Sequence, residues 1–301
     1  MQVAESERRA GIPPRVIAWF AANARDLPWR RPGFSAWGTL VSEIMLQQTP
    51  VARVIPRLEQ WLARWPSADA LAADSPADAV RAWDRLGYPR RALALHAAAV
   101  AISERHGGIV PDDVDALLAL PGIGDYTARA VAAFAYGKPV PVVDVNTRRV
   151  LARAVLGHGD AGPARTRADL ALMQELLPSD PAEARQFNAG AMELGQTVCV
   201  ARTPRCEVCP IAELCAWRTA GYPEYEGPAA PRQARFEGSD RQVRGLIMRE
   251  LRQSDTPVPA EVIESLWADA VQRDRALTGL LADGLAIGSP DSGYTLPGSV
   301  L

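Results

Sequence analysis

Leu120-Pro121-Gly122-Ile123-Gly124 separates two apolar stretches with helical spacing, and about twenty residues later Val143-Asp144-Val145-Asn146 opens the next such stretch. Glycines at 122 and 124 allow the backbone to reverse tightly between the helices. The first N–H groups of the second helix then have no partner within it and point outward, where they suit an anion. The spacing therefore predicts a helix-hairpin-helix with Gly122 and Gly124 at the grip. Pro-Gly-x-Gly alone is only a turn signal, so the meaning of the hairpin depends on its surroundings. Asp144 follows the apolar run Val140-Pro141-Val142-Val143 and precedes Thr147-Arg148-Arg149-Val150-Leu151. Asn146, directly before that periodic run, is the expected helix cap. This leaves the Asp144 carboxylate free, beside a helix-end dipole that favours its ionised form.

The chain of 301 residues has a formal net charge of −2, which gives no overall electrostatic signature of nucleic-acid binding; any such contact must come from a local face. Of its 33 basic side chains, Lys138 is the only lysine. Met1 to Gly11 carries Glu5, Glu7, Arg8 and Arg9 and no apolar core, so it does not read as a secretory signal, and no apolar run reaches membrane-spanning length. A cytoplasmic protein without membrane contact is expected. Helical patterning covers Pro14 to Arg25, Ser42 to Gln48, Val51 to Trp65, Pro76 to Leu86, Arg90 to His106 and Asp112 to Leu120, and strand signals are scarce. Gly221 to Pro231 reads as a linker. Beyond it, Asp240 to Arg252, Pro259 to Val271 and Arg273 to Leu285 predict three helices, and Gly288 to Pro297 a hairpin. That order resembles a winged helix, although few arginines are available for a DNA-facing wing.

All four cysteines lie in one short segment, Cys199, Cys206, Cys209 and Cys215, with spacing C-x6-C-x2-C-x5-C. A disulfide framework is not expected in a cytoplasmic chain of this size. One metal centre is expected instead, and zinc or a four-iron cluster would each accept four thiolates.

The hairpin and its downstream Asp144 resemble the helix-hairpin-helix DNA glycosylase superfamily, and the cysteine spacing after Met192-Glu193-Leu194-Gly195 resembles the [4Fe-4S] loop of its endonuclease III and adenine glycosylase branches. Arg25-Asp26-Leu27-Pro28-Trp29-Arg30, Ser42-Glu43-Ile44-Met45-Leu46-Gln47-Gln48-Thr49 and Leu86-Gly87-Tyr88 are similar to the MutY-type adenine glycosylase family. The motifs occur in family order over about residues 15 to 220. The resemblance implies an all-α helix-hairpin-helix DNA glycosylase fold with a cluster loop and a small winged-helix-like module. Residues 1–28 with 138–220 would form the cluster-bearing domain, 29–137 a six-helix domain, 221–231 the linker and 232–301 the module. It further implies a monomer that acts on double-stranded DNA containing a mismatch.

Cleaving the N-glycosidic bond of adenine requires a proton on the departing base and an anion near the developing oxocarbenium sugar. Glu43, in apolar company near Trp29, is the candidate acid, because desolvation raises a carboxyl pKa. By resemblance, Asp144 is the anion at the sugar, Tyr126 and Asn146 hold the network, and Arg25, Trp29, Arg30, Leu46 and Thr49 surround the pocket. Gln48 and Tyr88 would enter the base stack when the adenine leaves it, with Leu86, two residues before Tyr88, among the DNA-binding positions. Tyr126 stands where the bifunctional endonuclease III branch carries its Schiff-base lysine, so a monofunctional enzyme is expected; Lys138 is assigned to a helix end or a phosphate contact. Two positions depart from the family. Ala189 follows Phe187-Asn188 where Glu or Gln is frequent, and the tail is too short and too helical for the Nudix-like domain that reads 8-oxoguanine in many members. The competing expectations are a thymine or uracil mismatch glycosylase of the same fold, and a non-catalytic iron-sulfur regulator.

Overall fold

The computed structural model of the chain describes residues 5–228 and 235–299. The last three residues of the expected linker, and the ends of the chain, lie outside them. In chain order the helices are α1 (Glu5–Ala10), α2 (Ile12–Asn23), α3 (Ala36–Leu46), α4 (Val51–Arg64), α5 (Ala68–Ala72), α6 (Pro76–Trp83), α7 (Arg90–His106), α8 (Val114–Leu118) and α9 (Asp125–Tyr136). They continue with α10 (Val145–Leu151), α11 (Thr166–Leu176), α12 (Pro181–Thr197), α13 (Ala216–Thr219), α14 (Asp240–Gln253), α15 (Ala260–Ser265) and α16 (Ala270–Ala282). Strands β1 (Ile287–Ser289) and β2 (Gly293–Thr295) form one antiparallel hairpin that pairs Gly288 with Tyr294.

Local chemistry sets most of the ends. Ser67, Ser75, Asp180 and Asp269 accept backbone N–H groups in the first turns of α5, α6, α12 and α16. Gly107 and Gly137 close α7 and α9 in the left-handed conformation. The helix expected from Ser42 begins earlier, at Ala36, because the Ser35 side chain accepts the Gly38 N–H at 2.9 Å. The helix expected over Pro259 to Val271 is confined to Ala260–Ser265, and the next one starts at the Asp269 cap. Among the described residues no helix is long and apolar enough to cross a membrane.

The chain forms two compact units. The first comprises Met1–Thr39, Asp112–Asp115 and Gly124–Pro231; the second comprises Leu40–Pro111, Ala116–Ile123 and Arg232–Leu301. This grouping differs from the expected one at both crossovers, since the chain changes unit within α3 and at the hairpin rather than at 28/29 and 137/138. It also joins the C-terminal module to the second unit.

In the first unit α2 and α10 pack on α12, with Val16, Val150, Leu151, Phe187, Ala191 and Leu194 buried together. Gly190 permits the α2 crossing, since a Cβ there would lie 2.8 Å from Val16 Cγ1 and 3.1 Å from Phe20 Cβ. In the second unit Trp61 meets Trp65 and Trp83 edge to face, with centroids 4.6 and 5.7 Å away. The C-terminal segment runs through α14, a bridge strand at Val258 paired to Tyr294, then α15, α16 and the hairpin. It rests on α6 and α7. Arg81 donates to Ser254 O (3.3 Å) and Ser299 Oγ (3.4 Å), and Arg90 pairs with Asp283 at 3.2 Å.

Candidate active site

The first helical turn of α10 organises the first unit's chemistry. Asp144 Oδ1 accepts the Thr147 N–H at 2.7 Å, and Asn146 Nδ2 donates to Asp144 Oδ2 at 2.7 Å. Asp144, not Asn146, is therefore the cap. The helix starts at Val145, so Thr147 is its third residue, the usual partner of a capping side chain, and Asn146 already lies within the first turn. The carboxylate is fixed rather than free, and it sits at the positive end of the helix dipole. Asn146 is oriented in turn by Arg149, whose Nη2 donates to Asn146 Oδ1 (2.8 Å) and Gly195 O (2.6 Å) and whose Nε donates to Cys199 O (2.7 Å). Gly195 makes this approach possible, because a Cβ on it would be 2.6 Å from Asn146 O.

Tyr126, in the first turn of α9, packs against the buried cluster of Ala130, Ala133 and Val142, as does Met192. The irregular run before Asp144 is pinned by fully buried Asn188, which accepts the Val142 N–H (2.9 Å) and donates to Val140 O (3.0 Å). Lys138 is neither a helix cap nor free for phosphate: its Nζ is 2.6 Å from Asp112 Oδ2. At the hairpin only Gly122 needs a glycine's conformation, with φ of +72° and Ala94 Cβ 2.5 Å from where its own Cβ would be. Gly124 has φ of −95°, and no atom comes near the position of a Cβ. As the residue before α9 it offers no side chain to cap the first N–H groups of that helix.

Glu43 is on α3 and only 5% exposed, flanked by buried Ser42, Ile44 and Met45, which excludes a solvated helix charge. Leu46 ends the same helix and is half-buried, as is Trp29 in the single 3-10 turn Pro28–Arg30. Arg25 and Arg30 converge on Glu193, a carboxylate the sequence reading passed over. Arg25 donates to its two oxygens at 2.5 and 2.7 Å and Arg30 to Oε2 at 2.9 Å. Burial raises the Glu193 pKa, but the two guanidinium groups outweigh it and hold the carboxyl below its usual range. Its partners lie more than 160 residues away in the chain, and no local pattern links them.

In the second unit two turns carry the residues expected to enter the base stack. Gln48 (φ +54°) and Tyr88 (φ +47°) both adopt left-handed backbone without being glycine, and both are exposed. Thr49 and Leu86 beneath them are buried, and Thr49 Oγ1 donates to Leu86 O at 3.3 Å.

After α12 the four cysteines line one cavity with Val150, Ala154, Leu194, Val198 and Ile211. Burial pushes the Cys209 thiol up to about 12, and the other three cysteines add to the shift. Four soft sulfurs in an apolar pocket fit a [4Fe-4S] cluster, whose iron supplies the positive charge their ionisation lacks. Buried Arg153, in the π-helical turn Ala152–Leu156 that follows α10, points its guanidinium at this loop. It donates to Val200 O and Ala201 O, both at 2.8 Å, and approaches Cys199 Sγ at 3.4 Å.

A helix-hairpin-helix, a capping aspartate at the head of the following helix and a four-cysteine loop define a base-excision DNA glycosylase. Residues 41–175 match the model of the HhH-GPD superfamily base excision DNA repair proteins, and residues 199–215 match that of the iron-sulfur binding domain of endonuclease III. Adenine DNA glycosylase of Mycolicibacterium smegmatis is 54% identical over 95% of this chain and 96% of its own length. That of Mycobacterium tuberculosis is 52% identical over 94% and 92%. The solved structure of a thermostable thymine-DNA glycosylase superposes with a TM-score of 0.65 at 26% identity, covering 72% of this chain and 100% of that one. The chain belongs to the adenine DNA glycosylase family of the HhH-GPD superfamily and carries its [4Fe-4S] motif.

Proposed function

We propose that the chain excises adenine mispaired with 8-oxoguanine or guanine in double-stranded DNA, acting as a monomer and a monofunctional glycosylase. The observation that carries this reading is the Asp144 carboxylate, fixed by Asn146 and the Thr147 N–H at the head of α10. A carboxylate held there stabilises positive charge developing at the sugar C1′ without reorganising. Buried Glu43 protonates the base at N7. The C1′–N9 bond then breaks with its electron pair leaving on adenine, and the ionised Glu43 takes a proton from the attacking water. Tyr126 and Asn146 keep the anion in place, Arg25, Trp29, Arg30, Leu46 and Thr49 shape the pocket, and Gln48 and Tyr88 fill the space the base vacates. The uncovered start of α9 at Gly122 and Gly124 grips a phosphate.

The [4Fe-4S] cluster, bound by Cys199, Cys206, Cys209 and Cys215, supplies structure to the loop and no chemistry to hydrolysis. Residues 232–301 act as a packing module: Arg244, Arg249 and Arg275 are engaged by Asp283, Glu250 and Asp240 and so are not offered to phosphates. Single-turnover excision on duplexes with A opposite 8-oxoguanine, A opposite G, and T or U opposite G tests the reading. Release of adenine from the first two supports it; release of thymine or uracil with adenine untouched overturns it.

A further inference from the structure

Beneath the two exposed turns lies an arginine that the proposed chemistry does not use. Arg91 is the second residue of α7, where the positive end of a helix dipole disfavours a cation. Its guanidinium is half-buried, and that desolvation pushes its pKa down to about 10. Among the described residues no carboxylate answers it; backbone does. Nη1 donates to Ile44 O (2.8 Å), Met45 O (3.3 Å) and Gln47 O, so it closes the C-terminal end of α3, where carbonyls are unpaired and the dipole is negative. Nη2 donates to Thr49 Oγ1 (3.1 Å) and Gly87 O (3.0 Å), with Leu86 O at 3.5 Å. The guanidinium carbon also lies 5.7 Å from the centre of the Tyr88 ring. One planar group thus joins the segment on each side of Gln48 to the segment leading into Tyr88, two exposed positions whose non-glycine backbone is left-handed.

We propose that Arg91 is a positioning residue that locks the Gln48 and Tyr88 turns together in the shape that enters the base stack. This rests on the reading of those two side chains as the filling wedge. Left-handed backbone at a non-glycine residue is strained and persists only where its surroundings over-determine it. The fork supplies that constraint before DNA arrives, so extrusion does not have to order two separate turns at once. Lysine cannot replace it, because a single ammonium lacks the planar spread that reaches both turns.

The test uses the full-length, cluster-loaded protein and single-turnover excision of A opposite G, with 2-aminopurine at the target position reporting extrusion. Arg91→Lys is compared with Gln48→Ala/Tyr88→Ala and with the triple variant, and Thr49→Val provides a milder cut of the same bridge. Arg91→Lys is expected to slow excision by about 10- to 100-fold and to damp the 2-aminopurine signal, with duplex affinity, helix content and cluster absorbance close to wild type. Thr49→Val shifts both readouts in the same direction by less, and the triple variant is no slower than Gln48→Ala/Tyr88→Ala. If the Arg91→Lys loss recurs in full in the triple variant, the residue acts through the general fold and the proposal is overturned. Excision by Arg91→Lys equal to wild type also overturns it. If Gln48→Ala/Tyr88→Ala matches wild type, the wedge reading fails, and adenine excision still stands by the rate of the unaltered protein.

Discussion

Asp144 caps a helix and is proposed to face the sugar, and a pair of substitutions separates the two roles. In Asp144→Asn the side-chain oxygen can still accept the Thr147 N–H, but its new NH2 group meets the Asn146 NH2 that now donates to Oδ2 at 2.7 Å. Turning the Asn146 amide relieves that clash of donors and breaks its 2.8 Å bond from Arg149. Either way one hydrogen bond involving a charged group is lost, about 1.5–3 kcal/mol. At about 2–4 °C per kcal/mol for chains somewhat shorter than this one, the melting temperature should fall by several degrees. Excision should fall at least about 10²-fold, because the anion is gone. Adding Asn146→Asp reverses the polarity of the pair: the amide now at position 144 donates to the carboxylate now at position 146, and Arg149 gains an anionic partner. The double variant should recover most of the lost melting temperature while excision stays at the level of Asp144→Asn. Thermal melts and single-turnover assays on A opposite G measure the two quantities. Recovery of excision together with stability would refute the assignment, since it would mean that the charge need not be at position 144.

Gly195→Ala places a methyl 2.6 Å from Asn146 O and should cost about 1–3 kcal/mol while slowing excision, measured by urea titration and turnover; wild-type behaviour in both would show that the helix crossing is looser than described. Glu193 has a depressed folded-state pKa, so the stability it adds is complete above its unfolded value of 4.5 and disappears as the pH falls from there through the lower folded value. Wild type should therefore lose stability across that acid window more steeply than Glu193→Gln, and parallel curves would count against the ion pairs. Wild-type protein should release adenine without nicking the strand, and borohydride should trap little adduct on an abasic duplex, whereas Tyr126→Lys should trap readily; strong wild-type trapping abolished by Lys138→Ala would move the active site elsewhere. Protein matured with ample iron should be brown with about four irons per chain, and Cys209→Ser should lose most of them; stoichiometric zinc in their place would exclude the cluster.

What could be read from the sequence was what local pattern encodes. Arg90 to His106 is helical at the expected residues because an apolar period runs between a proline and a left-handed glycine, and the Gly122 turn follows from the same kind of signal. The cysteine spacing likewise carries its own message within seventeen positions. Misreadings arose where two local rules competed. Asp144 and Asn146 are both good caps, and the choice depended on a helix start slightly earlier than the apolar period suggested. Gly122 and Gly124 look alike in sequence, yet only the first has positive φ. The contacts that hold the site together were not legible at all. Arg25 with Glu193, Lys138 with Asp112 and Arg91 with the end of α3 join residues far apart in the chain, and arginines among many others carry no mark of which will be buried.

Helix α12 carries Asn188 and Gly195, seven residues apart and so on one stripe, and leads directly into Cys199. Asn188 pins the run before Asp144, Gly195 admits Asn146, and the carbonyl of Cys199 receives Arg149. An insertion or deletion of one residue between 188 and 195 turns everything after it by about 100° and takes these contacts out of register together. A surface loop can change length without moving these contacts, whereas this stretch behaves as a vernier whose marks agree at one residue count.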